Sequence, residues 1–442
     1  MVHAFKILET YYIYDVESSS LHIVDELVFA LMKKDDTILK NYNKKEIDEA
    51  KKEIAILEKD GVISCKEAKE EYGDDIVDAI KSLCVHVCHD CNLRCGYCFA
   101  DEGKYCGERQ MMSIETGKAA VDFLIEHSKA IKNLEMDFFG GEPLMNLDVL
   151  KEIVTYATMQ AEKRNKAFKF TVTTNGVLLN QEVSDYLNNT MDNVVLSIDG
   201  RKSVNDNVRK TISGKGSYDL IVDNFKYFKS IRGNKSYFVR GTFTANNIDF
   251  HNDVLHLNNL GFEQISIEPV VLPDVNTLAL KNEHLEQIKD NYELLTKEYL
   301  VRRKGDKWFS FFHFNVDLEN GPCRKKQLKG CGAGREYFAI SANGDIYPCH
   351  QFVGDKNYVL GNLHQKFSIK TNVLNTQKVS EKAVCSKCWA KYHCGGGCSA
   401  NSIHFGNGID NMYELGCELM KKRLECALHI FAQEKLSAGK TH

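Results

Sequence analysis

A chain of 442 residues exceeds what one hydrophobic core serves, so two or three domains are expected. With 43% apolar and 27% charged residues and a formal net charge of -4, the composition fits an enzyme and offers no global basic field for nucleic acid. No run of about 18 apolar residues is present to span a membrane. The stretch Met1 to Thr10, with Lys6 and Glu9, lacks the apolar core of a signal peptide, so a cytoplasmic location is expected.

Residues 1–80 hold eleven Lys, no Arg and nineteen Asp or Glu, a net charge of -8. Phe5 to Ile7, Tyr11 to Tyr14 and Leu21 to Ile23 read as short strands around Ser18-Ser19-Ser20. Val24, Leu27, Val28 and Leu31 mark one helix face. A second helix, Lys44 to Lys59, places Ile47, Ala50, Ile54 and Leu57 at helical spacing and stops at Gly61. Val62-Ile63-Ser64 reads as a returning strand, which makes this a winged-helix-like module. Its acidity disfavours DNA phosphates. A peptide strand added to the sheet edge suits it better.

Residues 81–305 alternate strand and helix. Strands are expected at Leu83 to Val87, Leu134 to Phe139, Phe168 to Thr173, Asn193 to Ile198, Tyr237 to Thr244 and Gln264 to Pro269. Ser113 caps a helix running to His127, and another covers Leu147 to Ala161. Six such repeats point to a parallel barrel or open sheet with its site in the loops after the strands. A charged helix, Glu283 to Arg303, leads to a last domain, 306–442.

The sixteen cysteines are expected to be reduced and to bind metal rather than form disulfides. Apart from Cys65 they fall in two groups, Cys84 to Cys106 and Cys323 to Cys426. In the loop after the first barrel strand stands Cys91-Asn-Leu-Arg-Cys95-Gly-Tyr-Cys98. Three thiols on one short loop hold three irons of a four-iron, four-sulfur cube and leave the fourth iron free; buried or zinc-binding thiols are the alternative. The second strand ends in Gly140-Gly141-Glu142-Pro143, where glycines admit a close approach and a fixed carboxylate accepts from an ammonium group. Thr173-Thr174-Asn175-Gly176 follows the third strand. Ser197-Ile198-Asp199-Gly200 follows the fourth, with Arg209 beyond it. Each alone is also a simple turn. Arg240 is either a structural arginine or a carboxylate clamp.

Together these motifs resemble the radical S-adenosylmethionine (radical SAM) superfamily over roughly residues 83 to 270. The resemblance implies that Cys91, Cys95 and Cys98 hold a [4Fe-4S] cluster that binds S-adenosylmethionine. Glu142 would meet its amino group. Ser197 and Arg209 or Arg240 would serve its carboxylate and ribose, and Tyr97 would lie near the adenine. Gly140, Gly141, Asn175 and Asp199 belong to the same cofactor site.

Cys331, Cys349, Cys385, Cys388, Cys394, Cys398 and Cys417 resemble the SPASM extension of radical SAM peptide maturases, which holds two auxiliary clusters. By that resemblance Cys385, Cys388, Cys394 and Cys417 ligate the outer cluster and Cys331, Cys349 and Cys398 the inner one. Cys323 either completes the inner cluster or leaves it an open site. Zinc is the competing occupant, suggested by Cys385-x-x-Cys388.

The expected architecture is therefore α/β: a winged-helix-like module, a partial (β/α)6 radical SAM barrel and a C-terminal SPASM domain, with three [4Fe-4S] clusters. The order resembles maturases of ribosomally made peptides, nearest to those of six-cysteines-in-forty-five-residues peptides. That implies SAM cleavage to methionine and a 5'-deoxyadenosyl radical, hydrogen abstraction from a cysteine-rich precursor bound through its leader, and a cysteine-sulfur to carbon thioether. A flavodoxin or ferredoxin would supply electrons. The rivals are a formylglycine-forming sulfatase maturase and a non-enzymatic iron-sulfur or zinc DNA-binding regulator.

Overall fold

A computed structural model of the chain describes residues 1–64, 79–318, 330–366, 368–369, 373–374, 377–406 and 408–439. Cys65 and Cys323 lie outside the described residues.

The N-terminal module is an antiparallel meander of β1 (Val2–Ile7), β2 (Thr10–Asp15) and β3 (Ser20–Val24), followed by α1 (Glu26–Lys33), α2 (Asp36–Leu39) and α3 (Lys44–Lys59). Alternation fixes the meander: Phe5, Ile7, Tyr12 and Tyr14 are buried. Asn43 and Glu46 form a capping box on α3, each satisfying a backbone N–H of the other's turn. Gly61, at φ +69°, ends that helix in a conformation glycine adopts without strain. The expected strand at Val62 to Ser64 is not formed; the segment is a bend in which Ser64 takes a φ of +58°. A left-handed residue cannot continue a strand, so the described residues lack the returning strand of a winged helix.

The barrel runs through β4 (Ser82–His89), short strands β5 (Leu93–Cys95) and β6 (Gln110–Met111), α4 (Ile114–His127), β7 (Asn133–Gly140), α5 (Leu147–Arg164), β8 (Ala167–Thr174), α6 (Gln181–Thr190) and β9 (Asn193–Ser197). It continues with α7 (Lys202–Val208), β10 (Arg209–Thr211), α8 (Tyr218–Arg232), β11 (Ser236–Phe243), α9 (His251–Asn259), β12 (Gln264–Pro269), α10 (Leu285–Arg302) and β13 (Ser310–Phe311). Strands β4, β7, β8, β9, β11 and β12 pair in that order, all parallel, and β13 extends the row. These are the six expected strands.

Period-two alternation sorts their side chains. Met136, Phe138, Phe170, Val172, Val194, Leu196, Val239 and Ile267 form the core with the helices. The alternate positions, among them Cys84, His86, Asp137, Phe139, Thr171, Ser197, Arg240 and Glu268, share the other, concave face.

β4 and β13 do not pair with each other. Instead β14 (Tyr337–Ile340) pairs parallel with β4 and continues into β15 (Asp345–Tyr347) and β16 (Gly361–Asn362). The chain beyond residue 305 therefore adds to the barrel sheet at both edges. The last helix, Glu414–Ser437, packs on α10, with ion pairs Lys422–Glu293 at 2.5 Å and Arg303–Glu434 at 2.6 Å.

The N-terminal sheet rests on this C-terminal region. Tyr12 Oη lies 2.9 Å from His429 Nδ1, and Tyr14 Oη 2.8 Å from His393 Nε2. His3 stacks on Trp389 at 3.8 Å, and Glu17 forms a buried ion pair with Lys391 at 3.2 Å. Among the described residues no helix is long and apolar enough to cross a membrane.

Candidate active site

The three-cysteine loop is built into the barrel at both ends. β5 pairs antiparallel with β10, setting Cys95 opposite Arg209 and Leu93 opposite Thr211, and Gly96 N–H donates to Val208 C=O at 2.8 Å. From the other side Gly141 N–H donates to Cys88 C=O and Glu142 N–H to Asp90 C=O, both at 2.8 Å.

The two glycines serve these contacts. A Cβ on Gly140, whose φ is +136°, would sit 2.2 Å from Cys88 O, and one on Gly141 2.0 Å from Asp90 O. The close approach expected of a bound ligand is thus made by the protein's own backbone on its way into Cys91.

Glu142 is buried and fully positioned. Its Oε1 accepts from Leu144 N–H at 3.1 Å and Thr174 Oγ1 at 2.8 Å, and its Oε2 from Asn175 N–H at 2.7 Å. Burial raises its pKa while those donors oppose the rise. An ionised carboxylate offers about four acceptor positions, so one remains for a further donor. Asn175 Nδ2 donates to Asn92 Oδ1 at 2.7 Å and reaches Cys91 Sγ at 3.6 Å.

Tyr97 Oη donates to Asp199, 2.8 and 2.9 Å from its two oxygens, and accepts from Arg209 Nη1 at 2.8 Å. Asp199 also accepts from Thr242 N–H at 3.0 Å. Ser197 ends β9 with Arg240 beside it on β11. The structure therefore joins Tyr97, Asp199 and Arg209 and sets Arg240 apart, 3.6 Å from Glu268.

The neighbouring thiols of Cys95 and Cys98 add to the pKa rise that burial imposes on Cys91, and that of Cys98 adds to the rise at Cys95. Burial pushes Cys91 up to about 12 and Cys95 up to about 11. Half-buried thiols held near each other at this energetic disadvantage are suited to a cation that takes them as thiolates. Asn92 Nδ2 and Arg209 Nε are buried there without hydrogen-bond partners. Two orphaned donors beside the thiols fit an anionic or sulfur-rich occupant.

The C-terminal thiols separate into two sets. Cys349 feels Cys398 and Cys331, and burial pushes it up to about 12. Cys417 feels Cys394, Cys385 and Cys388 and is likewise pushed up to about 12 by burial. Between Cys394 and Cys398 run Gly395, Gly396 and Gly397, with φ of +69°, +89° and +74°. Three consecutive left-handed residues turn the chain from one set to the other, a path closed to residues bearing a Cβ. Among the described residues no three His, Cys, Asp or Glu side chains converge tightly enough for a single metal ion, so these sets are looser than a one-ion cage.

The Cys349 set adjoins the three-cysteine loop. Phe99, next to Cys98, meets the His350 ring edge-on at 6.1 Å, and Tyr337 Oη lies 2.9 Å from His350 Nδ1. At the opposite end of the concave face, Glu135, Asp137, Lys169, Thr171, Asp192, Asn193 and Ser236 line a cavity of about 370 Å³. Burial pushes Asp137 there up to about 6.

Sequence reading missed the β5–β10 ladder and the cluster of Glu268, His313 and Arg423. Leu93 and Thr211 carried no pairing signal, and His313 and Arg423 fall in the last domain, 306–442, which was read through its cysteines and not through these residues.

A family model described as the Radical SAM superfamily matches residues 85–252, and one described as SPASM, an iron-sulfur cluster-binding domain, matches residues 331–389. The cysteine-type anaerobic sulfatase-maturating enzyme of Clostridium novyi is 25% identical over 365 residues, covering 76% of this chain and 92% of its own. The solved structure of native anSMEcpe with bound AdoMet aligns with a TM-score of 0.65 at 21% identity, over 79% of this chain and 98% of that one. Streptococcus suis SuiB bound to precursor peptide SuiA aligns with a TM-score of 0.55 at 15% identity, over 93% and 98%. The chain thus carries a radical SAM domain followed by a SPASM domain and is related to SPASM-type maturases.

Proposed function

We propose that this radical SAM and SPASM chain is a peptide maturase that joins a cysteine sulfur to a carbon of a ribosomally made, cysteine-rich precursor. The observation that carries the reading is the union, on one concave face, of the three-cysteine loop and the Cys349 set through Phe99 and His350. A hydrogen-abstracting centre and a thiol-binding centre would then face the same substrate.

In this reading Cys91, Cys95 and Cys98 hold a [4Fe-4S] cluster, and the two C-terminal sets hold the auxiliary clusters. The first cluster with bound S-adenosylmethionine supplies the hydrogen-abstracting chemistry. Glu142 offers its free acceptor position to the methionine amino group. Arg209, braced by Tyr97 and Asp199, and Ser197 serve the carboxylate and ribose.

The N-terminal module takes the leader. Among the described residues β3 pairs with β2 alone, so its outer edge offers N–H and C=O groups to an added strand, and Ile23 and Leu57 are exposed. Because the module rests on Trp389 and His393, a leader held there delivers the core beside the outer set. A small electron-transfer protein such as a flavodoxin or ferredoxin supplies the electrons, in the cytoplasm.

The test is anaerobic reconstitution with iron, sulfide and dithionite, then co-expression with a short cysteine-rich peptide. Release of 5'-deoxyadenosine and a peptide lighter by two hydrogens with sulfur retained is the expected result. The second reading, oxidation of a sulfatase cysteine to formylglycine, is favoured by the 92% coverage of the Clostridium novyi enzyme. Its product lacks the sulfur.

A further inference from the structure

Glu268 stands at the C-terminal end of β12 on the concave face, within a set of contacts that the reading above leaves unused. Its Oε1 accepts from Ser266 Oγ at 3.1 Å, and its Oε2 lies 3.1 Å from His313 Nε2. Arg423, from the last helix, donates to His313 Nδ1 at 2.7 Å. A guanidinium has no acceptor, so Nδ1 is the lone-pair nitrogen and the ring hydrogen sits on Nε2, which meets Glu268 as a close electrostatic neighbour rather than in hydrogen-bond geometry. Burial opposes the charge on Glu268, yet His313, Arg240 and Arg423 hold its carboxyl well below the usual range.

Arg240 stands beside it from β11, its side chain 55% exposed. Their 3.6 Å separation is too long for a hydrogen bond, so the guanidinium keeps its five donors and the carboxylate keeps unused acceptor positions. Phe238, two residues before Arg240 on the same face, packs edge-on against the half-exposed Phe312 at 5.8 Å. An anion such as the carboxylate of S-adenosylmethionine would meet Glu268 as well as Arg240. The pair is matched instead to a neutral group that donates and accepts at once. One residue of an extended peptide presents its N–H and C=O along the same edge.

We propose that Arg240 and Glu268 together dock the backbone of the substrate peptide's core segment, Arg240 donating to one carbonyl and Glu268 accepting from one N–H, with Phe238 and Phe312 against the neighbouring apolar side chain. His313 and Arg423 are positioning residues that hold the carboxylate in place. This rests on the peptide-maturase reading and removes Arg240 from the S-adenosylmethionine site.

The test uses the reconstituted holoenzyme and a library of uncharged N-acetyl, C-amide heptapeptides, each with one cysteine, retained in equilibrium dialysis and quantified by mass spectrometry. The wild type is expected to retain extended members. Arg240→Gln and Glu268→Gln each lower retention about tenfold or more, the loss of one hydrogen bond to a charged group. Arg240→Lys recovers part of it. S-adenosylmethionine affinity, measured on the same samples, stays at the wild-type value and reports an intact site. N-methylation of one peptide position lowers retention by the wild type and not further by Glu268→Gln.

Equal retention by all variants, no retention by the wild type, or a parallel fall in S-adenosylmethionine affinity in Arg240→Gln overturns the docking assignment. Wild-type 5'-deoxyadenosine release separates the two levels. If it occurs while docking fails, only the Arg240–Glu268 assignment falls; if it does not occur, the reading beneath it falls.

Discussion

The two cysteine-bearing regions of this chain are built in opposite ways. The Cys91 to Cys98 loop is held by regular structure: a β5–β10 ladder on one side, backbone hydrogen bonds from Gly141 and Glu142 on the other, and no room for a Cβ at either glycine. The Cys349 set flanks the β14–β15 extension of the barrel sheet, whereas the Cys385 to Cys398 stretch is held by short helices, turns and a run of left-handed glycines, and it is braced from outside by the N-terminal sheet and the last helix. A site tied into a parallel sheet keeps its shape by itself. A site built from turns depends on its ligands and neighbours for order.

The largest expected effect removes the barrel site. Replacing Cys91, Cys95 or Cys98 with Ala should abolish 5'-deoxyadenosine release, whereas Cys349→Ala should spare part of that release and stop crosslinking. Equal loss in both assays would erase the functional distinction between the regions.

Iron removal sharpens the same contrast. After chelation, hydrogen exchange should accelerate in residues 377–406 and 408–417 while β7, β8 and β9 keep their protection. Uniform acceleration would show that the barrel site is no more self-supporting than the other.

The brace comes next. Lys391→Met removes the cation beside the buried Glu17, which keeps the hydrogen bond from Tyr392 Oη at 3.1 Å; the Lys391 and Glu17 side chains are 7% and 4% exposed. A loss of up to about 3–5 kcal/mol is expected in denaturant unfolding, the cost of breaking a buried ion pair. Gly141→Ala tests the barrel counterpart. The 2.0 Å approach to Asp90 O forces the cysteine loop to shift, costing about 1–3 kcal/mol and lowering deoxyadenosine release.

The smallest effect lies at the barrel floor. Asp137 has a folded pKa raised to about 6 from 3.8 by burial, so its contribution is present below pH 3.8 and is lost as pH rises through about 6. Asp137→Asn should therefore leave that pH dependence behind and stabilise the chain at neutral pH by about 1–3 kcal/mol relative to the native residue. Urea unfolding at pH 4 and pH 7 measures both points. No gain at pH 7 would mean that the floor is better hydrated than its lining suggests.

Much of this design was legible in residue order. The six barrel strands showed as apolar runs, and the buried Glu142 was marked by the glycines before it. The division of seven C-terminal cysteines into two sets came from a family resemblance, and the same division reappears in the electrostatic influence among the thiols. The expected strand at Val62 to Ser64 failed because the apolar pattern of three residues says nothing of Ser64's left-handed backbone. The family resemblance left Arg209 and Arg240 as alternatives for one role, and only their neighbours, Glu268 for Arg240 and Tyr97 with Asp199 for Arg209, tell them apart.

By itself the sequence determined which groups bear chemistry and which elements carry them, because thiol spacing, hydrophobic period and turn residues act within a few residues along the chain. Tertiary structure alone decided that the glycines admit backbone rather than ligand, that β10 clamps the cysteine loop, and that the N-terminal sheet rests on the C-terminal cysteine region. Those outcomes depend on contacts between segments distant along the chain, whose energies no local pattern encodes.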